Sequence, residues 1–280
     1  MKRVIINADD FGLCRSVNEG VILAYQKGVL SSATIMANTP GFDQAVELAK
    51  ENPGLGVGVH LNIVRGKPLS SVQKIKSLVG SDGRFLNKAG VLIRRIAAKK
   101  IAAEEVEEEF RAQIEKVLKA GIQPTHLDSE KHIHIFPSVF KTTIGLAEEY
   151  GIHSVRYIQE FRLTPRLTRS LKAFLISIAA AQGKRFLESG IVITDRFYGI
   201  CYSGRMTSGR LRKILVSLRE GTAEIMVHPG FVTPELFALE EVGPYYINKY
   251  RETELNALLD AGLRDLLKSR EIQLIHFGGL

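Results

Sequence analysis

Along the chain, short runs of aliphatic and β-branched residues alternate with longer stretches whose apolar positions recur every three or four residues. The short runs predict strands at 3–8 (RVIINA), 31–37, 55–61, 124–128, 154–157, 191–194, 223–227 and 272–277. The longer stretches predict helices at 17–27, 42–50, 104–120, 137–150, 165–182, 208–219 and 248–268. Repeated strand–helix alternation builds a mainly parallel sheet. With seven to eight such units and no glycine-rich dinucleotide fingerprint, the pattern predicts a single-domain α/β barrel over 1–280 rather than an open doubly wound sheet. Residues 62–103 interrupt the alternation. They carry the turn signal Asp82-Gly83 and are expected to form an insertion over one barrel mouth.

Polar residues gather where the predicted strands end. The first strand closes on Asn7, Asp9 and Asp10, and the third on His60 and Asn62. The fourth closes on His126 and Asp128, with Glu130, His132 and His134 just beyond. Arg156, His228 and His276 end three later strands. Barrel enzymes place their chemistry on the C-terminal ends of strands, so residues scattered through the sequence are expected to converge at one mouth. In HLDSEKHIHIF (126–136), the three histidines and two acids all occupy even positions. Alternate side chains of an extended segment share a face. Metal ligation by at least one of them is predicted, but spacing does not choose which.

The other strand ends suggest distinct roles. His60 is the single polar group in LGVGVHL and suits ligation alongside the carboxylates. The adjacent Asp9 and Asp10 suit a division of labour, one holding a cation and the other taking a proton from its water. Ser16 is expected to cap the following helix, which frees both aspartates. His228, fixed before Pro229-Gly230, is a candidate general acid. Asn7, Asn62, Asp128 and Arg156 are the substrate-binding candidates, with Arg156 suited to an anionic group or to orienting a carboxylate. His276 carries the weakest functional case and can simply close the barrel.

Composition narrows the partners. Hydrophobic residues make up 45% and charged residues 24%, an ordinary globular balance. Two cysteines, Cys14 and Cys201, are too few for a disulfide framework. MKRVIINADD runs directly into a strand, and the longest apolar stretch, near 171–183, falls short of the ~20 residues needed to span a bilayer. It reads as a buried helix, and a cytoplasmic location is expected. The net charge of +8 favours an anionic partner or surface, although the basic residues are dispersed. Arg94, Arg95, Lys99 and Lys100 precede Glu104, Glu105, Glu107, Glu108 and Glu109, as on exposed helices. Arg162, Arg166, Arg169 and Lys172 alternate with Leu163, Leu167, Leu171 and Phe174. This pattern predicts a surface helix with one core-facing apolar stripe; the alternative is a face that contacts a membrane or an acidic partner. No tryptophan and no nucleic-acid motif occur, so nucleic acid is not an expected partner. The sequence leaves a homodimer open.

NADDFGL (7–13), GVHLNI (58–63), PTHLDSEKHIHIFP (124–137) and HPGF (228–231) resemble, in order, the motifs of the YdjC-like carbohydrate deacetylases. The last fifty residues add little. The resemblance implies a distorted barrel akin to polysaccharide deacetylases and a divalent metal, Mg or Zn. It implies removal of an acetyl group from an N-acetylated amino sugar, either a chitooligosaccharide or a glycolipid-linked one. It assigns Asp9 as base, Asp10 and His60 as metal ligands and His228 as acid. One position departs from the pattern: Glu130 stands where the family has its third, histidine ligand. A carboxylate can ligate the same cations, with an extra negative charge that lowers the metal's Lewis acidity. Three outcomes follow: Glu130 ligates, His132 turns in to replace it, or the chain is a non-catalytic carbohydrate-binding relative. Retained metal binding is the favoured expectation. A hydrolase of phosphorylated or other ester substrates is a further alternative, but no phosphate-cradling glycine loop supports it.

Overall fold

A computed structural model describes residues 1–160, 167–187, 190–239 and 250–280. Among these residues, seven strands form one parallel sheet: β1 (Lys2–Phe11), β2 (Ser32–Ile35), β3 (Gly56–Leu61), β4 (Leu127–Ser129), β5 (Arg196–Tyr198), β6 (Gly221–Val227) and β7 (Ile272–Leu274). Their order is β4-β3-β2-β1-β6-β5, with β7 paired to the first residues of β1. The predicted strands at 154–157 and 191–194 are reduced to single bridges, Leu127–Val155 and Ser154–Val192. These bridges carry the wall from β4 round towards β5, so the barrel is regular on one side and thin on the other. The short strand β5, just after the predicted 191–194, was not foreseen.

Ten helices surround the sheet among the described residues: α1 (Arg15–Lys27), α2 (Phe42–Glu51), α3 (Ala89–Ala97), α4 (Ala103–Lys119), α5 (Pro137–Glu149), α6 (Leu167–Gly183), α7 (Ser208–Val216), α8 (Pro234–Ala238), α9 (Tyr250–Leu258) and α10 (Gly262–Ser269). The helix expected over 248–268 is broken, and Asp260 accepts from the Gly262 N–H at the break. None of the described helices is long and apolar enough to cross a membrane.

Strand periodicity separates two cores. Val4, Ile6 and Ala8 of β1, Ala33 and Ile35 of β2, Val57 and Val59 of β3 and Ile225 and Val227 of β6 join the apolar core under the helices. The opposite parity fills the barrel with polar groups: Asn7, Asp9, Thr34, His60, Asp128 and Glu224 are all buried. Close packing at the lower end needs glycine. A Cβ on Gly58 would meet the His126 ring at 2.4 Å. That ring stacks on Phe277 at 3.6 Å, and the His276 side chain lies against Gly56. The C-terminal segment thus plugs the barrel opposite the predicted site, which accounts for His126 and His276.

The insertion is tied to α4. Glu109 is buried, unlike its expected exposed setting, and accepts from the N–H groups of Leu69 (3.1 Å) and Ser70 (2.9 Å). Gln113 exchanges hydrogen bonds with the backbone of Asn62 at 2.8 and 2.7 Å. These bonds fasten the first part of the insertion to α4.

Helix α6 reverses its expected orientation. Ser170, Ala173, Ser177, Ala180 and Gly183 face inward, while Leu167, Leu171 and Phe174 are exposed. Small residues let α6 approach its neighbours closely, and the bulkier stripe is turned out. Arg162, Leu163 and Arg166 lie outside the described residues. Nor does Ser16 cap α1; the N-cap position is Cys14, without a side-chain cap, and the Ser16 hydroxyl meets Cys14 Sγ at 3.3 Å.

Candidate active site

Adjacent residues of a strand normally point to opposite faces, yet Asp9 and Asp10 both reach the mouth of the barrel. A register irregularity between Ala8 and Phe11 makes this possible. Asp10 there adopts a left-handed conformation, φ 69°, which aspartate tolerates better than most residues. Bulges of this kind re-aim side chains next to active sites. Beyond β4 the alternation breaks again: Lys131 and His132 are both left-handed, at φ 53° and 58°. The even-numbered residues of 126–134 therefore do not share one face. His132 is half-buried with its ring edge-on to Phe197. His134 is fully buried, its ring nitrogens 2.7 Å from the Ser129 hydroxyl and 3.0 Å from the Arg156 carbonyl.

One ligand atom from each of Asp10, His60 and Glu130 lies within 4.8 Å of the others. His60 Nε2 is 3.8 Å from an Asp10 oxygen and 3.4 Å from a Glu130 oxygen. Asp128 lies 2.7 Å from His60 Nδ1, fixing the ring so that Nε2 faces the set, the usual outer-shell arrangement for a ligating histidine. A second group, Asp9, His60 and Asp128, meets the same distance criterion, but its oxygens are already committed. Both Asp9 oxygens accept from Arg156, at 2.6 and 2.9 Å, and Asp128 accepts from the same guanidinium at 2.5 Å. Asp10, His60 and Glu130 are the fitting donors: two carboxylates and an imidazole, buried yet opening to a cavity, suit a divalent cation. His132 lies outside this set.

Each ligand carboxylate also has a guanidinium on its far side. Arg251 donates to Asp10 at 2.6 Å, and Arg65 donates to Glu130. Burial alone would raise the Glu130 pKa, but Arg65 and then Lys131 hold it well below the usual range. Burial likewise opposes ionisation of Asp9, and Arg156 overrides it, leaving Asp9 strongly acidic. For His228, burial favours the neutral ring, but Glu254, 3.4 Å from Nδ1, outweighs it and raises the pKa.

The four substrate-binding candidates have other placements. Arg156 is fully buried, its guanidinium paired with the carboxylates of Asp9, Asp128 and Glu224. Asp128 lies beneath His60. Asn7 donates to Asp9 (3.1 Å) and Thr34 (3.3 Å). Asn62 folds the loop after β3, accepting from the N–H groups of Val64 (2.9 Å) and Arg65 (3.2 Å). None of the four lines the cavity, whereas Asp9, Asp10, His60, Glu130, His132 and His228 all do.

Arg65, Arg251 and Glu254 also meet the site, and no strand-end pattern marks them. The last two come from the C-terminal segment that adds little to the motif resemblance. Their signal was a spacing of three on one predicted helix, which puts them on the same face of α9. That face meets the end of β1 at Asp10 and the residue after β6, His228.

A parallel barrel with carboxylates and imidazoles converging on the C-terminal ends of its strands is an enzyme of the barrel class. The chain belongs to the YdjC-like family, whose model matches residues 3–269. A protein of Brevibacillus brevis named carbohydrate deacetylase is 35% identical over 279 residues, covering 99% of both chains. One of the same name from Geobacillus stearothermophilus is 33% identical over 98% of this chain and 96% of its own. A crystal structure from Enterococcus faecalis V583, carrying the name cellobiose-phosphate cleavage protein, superposes with a TM-score of 0.79 at 26% identity. It covers 99% of this chain and 98% of its own.

Proposed function

We propose that the chain is a divalent-metal-dependent carbohydrate deacetylase that hydrolyses the acetamide of an N-acetylated amino sugar. The observation that carries this reading is the Asp10–His60–Glu130 donor set, opening into one cavity beside Asp9 and His228. Asp10 and Glu130 would hold the cation through oxygen and His60 through Nε2. A divalent cation held there would acidify a bound water and polarise the acetamide carbonyl, as a base as weak as Asp9 requires. Asp9, kept ionised and oriented by Arg156, takes a proton from the water that attacks the acetyl carbon. His228, charged through Glu254, gives a proton to the nitrogen as the C–N bond breaks. Acetate and a free amine leave. No group in this scheme depends on His132.

The test is acetate release from N-acetylglucosamine glycosides and oligomers, with metal added and with chelator. Chelator-sensitive release is expected. No release from any amino sugar, with the donor set fully metal-loaded, would overturn the proposal; sugar binding without turnover would instead identify a non-catalytic relative.

A further inference from the structure

Segment 62–70, where the insertion leaves β3, is fixed by buried side chains at both ends. Asn62 Oδ1 accepts from the N–H groups of Val64 and Arg65, and Asn62 Nδ2 donates to the Arg65 carbonyl at 3.0 Å. The Asn62 side chain thus wraps the turn that carries Arg65. Gln113 holds both the N–H and the carbonyl of Asn62, and its amide also donates to Glu109 at 2.7 Å. Glu109 in turn takes the N–H groups of Leu69 and Ser70. These two α4 residues stand four apart on one helical face, and Asn62, Glu109 and Gln113 are all fully buried. Between the anchors, the carbonyls of Val64 and Gly66 accept from the N–H groups of Asn87 (2.8 Å) and Phe85 (3.0 Å). Buried networks whose members are satisfied rigidify what they connect, and here they connect the backbone on both sides of Arg65.

The Arg65 guanidinium goes to one oxygen of Glu130. That oxygen, Oε1, also has Lys131 Nζ at 3.3 Å, whereas Oε2 lies 3.4 Å from His60 Nε2. The pairing sorts the two oxygens of the carboxylate, one for the cationic side chains and one for the donor set. Ligating carboxylates are ordinarily oriented by hydrogen bonds of this kind. We propose that Glu109 and Gln113 are positioning residues of the metal site: through segment 62–70 they set Arg65 against Glu130 and so fix the oxygen that Glu130 presents beside His60. The proposal rests on the metal donor set of the deacetylase reading and is independent of the reaction performed there.

Zinc calorimetry on the metal-free full chain, with urea melts alongside, tests this. Arg65→Met should weaken zinc binding roughly ten- to hundredfold, the range for outer-shell partners. Gln113→Met should weaken it about tenfold, and this loss should vanish when Arg65→Met is already present. Glu109→Gln keeps one acceptor for the Leu69–Ser70 turn; it should show a smaller loss and carries the test if Gln113→Met does not fold. Glu105→Ala is the control. Glu105 accepts from the Ser77 N–H at 2.6 Å, further along the insertion, so this variant should lower stability and leave zinc affinity unchanged. Zinc affinity unchanged in folded Gln113→Met or Glu109→Gln, tighter binding by Arg65→Met, or a Gln113 effect that persists without Arg65 would overturn the proposal. An equal loss of affinity in Glu105→Ala would do the same, since general loosening of the insertion would then suffice. The expected couplings in a chain that hydrolyses no amino sugar would leave the positioning role standing and remove the deacetylase reading instead.

Discussion

Arg65 donates to the carboxylate of Glu130, and both side chains are buried. Glu130, the departure from the motif resemblance, therefore brings its own counter-charge. Together Glu130 and Arg65 carry no net charge, which offsets the loss of Lewis acidity expected from a second anionic ligand. Glu130→His alone should then be damaging, because it removes the carboxylate facing a buried guanidinium. Breaking a buried pair costs on the order of 3–5 kcal/mol. Adding Arg65→Met should recover much of the loss, with a coupling of about 1–3 kcal/mol between the sites. Zinc titration calorimetry and urea melts of both single variants and the double variant measure this. Metal affinity in Glu130→His equal to that of the parent would refute the compensation.

Arg156 bridges Asp9, Asp128 and Glu224 with no exposed surface of its own. Arg156→Lys keeps a positive charge but cannot reproduce the planar bidentate grip on Asp9. Misplacing the base by an ångström is expected to lower kcat by about a hundredfold, with zinc affinity falling less, because Arg156 reaches the donor set only through Asp128 beneath His60. Arg156→Met should also lose on the order of 3–5 kcal/mol of stability. A parallel fall in kcat and metal affinity for the lysine variant would count against the positioning role.

The strand ends, and hence most of the donor set, can be read from alternation alone, because a parallel barrel must bring those ends to one mouth. What escapes such reading has identifiable causes. The left-handed residues Asp10, Lys131 and His132 break a period-two pattern at the positions where chemistry concentrates, and no propensity announces them. Arg65, Arg251 and Glu254 act through contacts with residues far away in sequence, so local pattern says nothing about their partners. The leucines of α6 looked like a core stripe because an apolar period shows which residues share a face but not whether that face meets protein. Ser170, Ala173 and Ser177 gave the contrary signal, since small residues permit close helix packing.

His228 has a pKa raised above the ordinary histidine value by Glu254, whose carboxylate outweighs the opposing effect of burial. A general acid works only while protonated, so activity should be lost as pH rises through that raised value. The descending limb of kcat/KM is expected above pH ~6.5, the unperturbed histidine value. Glu254→Gln removes the anion and should move the limb to lower pH. His228→Gln should reduce kcat by about 10²–10⁴-fold while zinc still binds. A limb that stays in place in Glu254→Gln would show that another group supplies the proton.

His134 is fully buried, and burial lowers its pKa to about 4. The unfolded chain takes up that proton near pH ~6.5, so acid favours unfolding. This contribution to stability is complete above pH 6.5 and is lost as pH falls towards 4, to the extent of about 3 kcal/mol. Urea melts of the parent and of His134→Asn at pH 7, 5.5 and 4.5 should show a shallower acid decline in the variant. Parallel declines would mean that His134 is not the group responsible.

Chelation should abolish turnover without unfolding the protein. Asp10 and Glu130 have Arg251 and Arg65 as permanent counter-ions, and the His60 Nδ1 contact with Asp128 does not depend on a metal. The metal-free donor set is thus electrostatically self-supporting, unlike structural zinc sites whose folding requires the ion. Far-ultraviolet circular dichroism should be unchanged by chelator. Restoring metal at a hundred times its dissociation constant should raise stability by about 2.7 kcal/mol through linkage, seen as a reversible increase in Tm. In Arg251→Met the Asp10 carboxylate loses its guanidinium, so the variant should depend more heavily on metal for stability and show a larger rise in Tm. Unfolding of the parent chain by chelator alone would show that the guanidinium pairs do not hold the site.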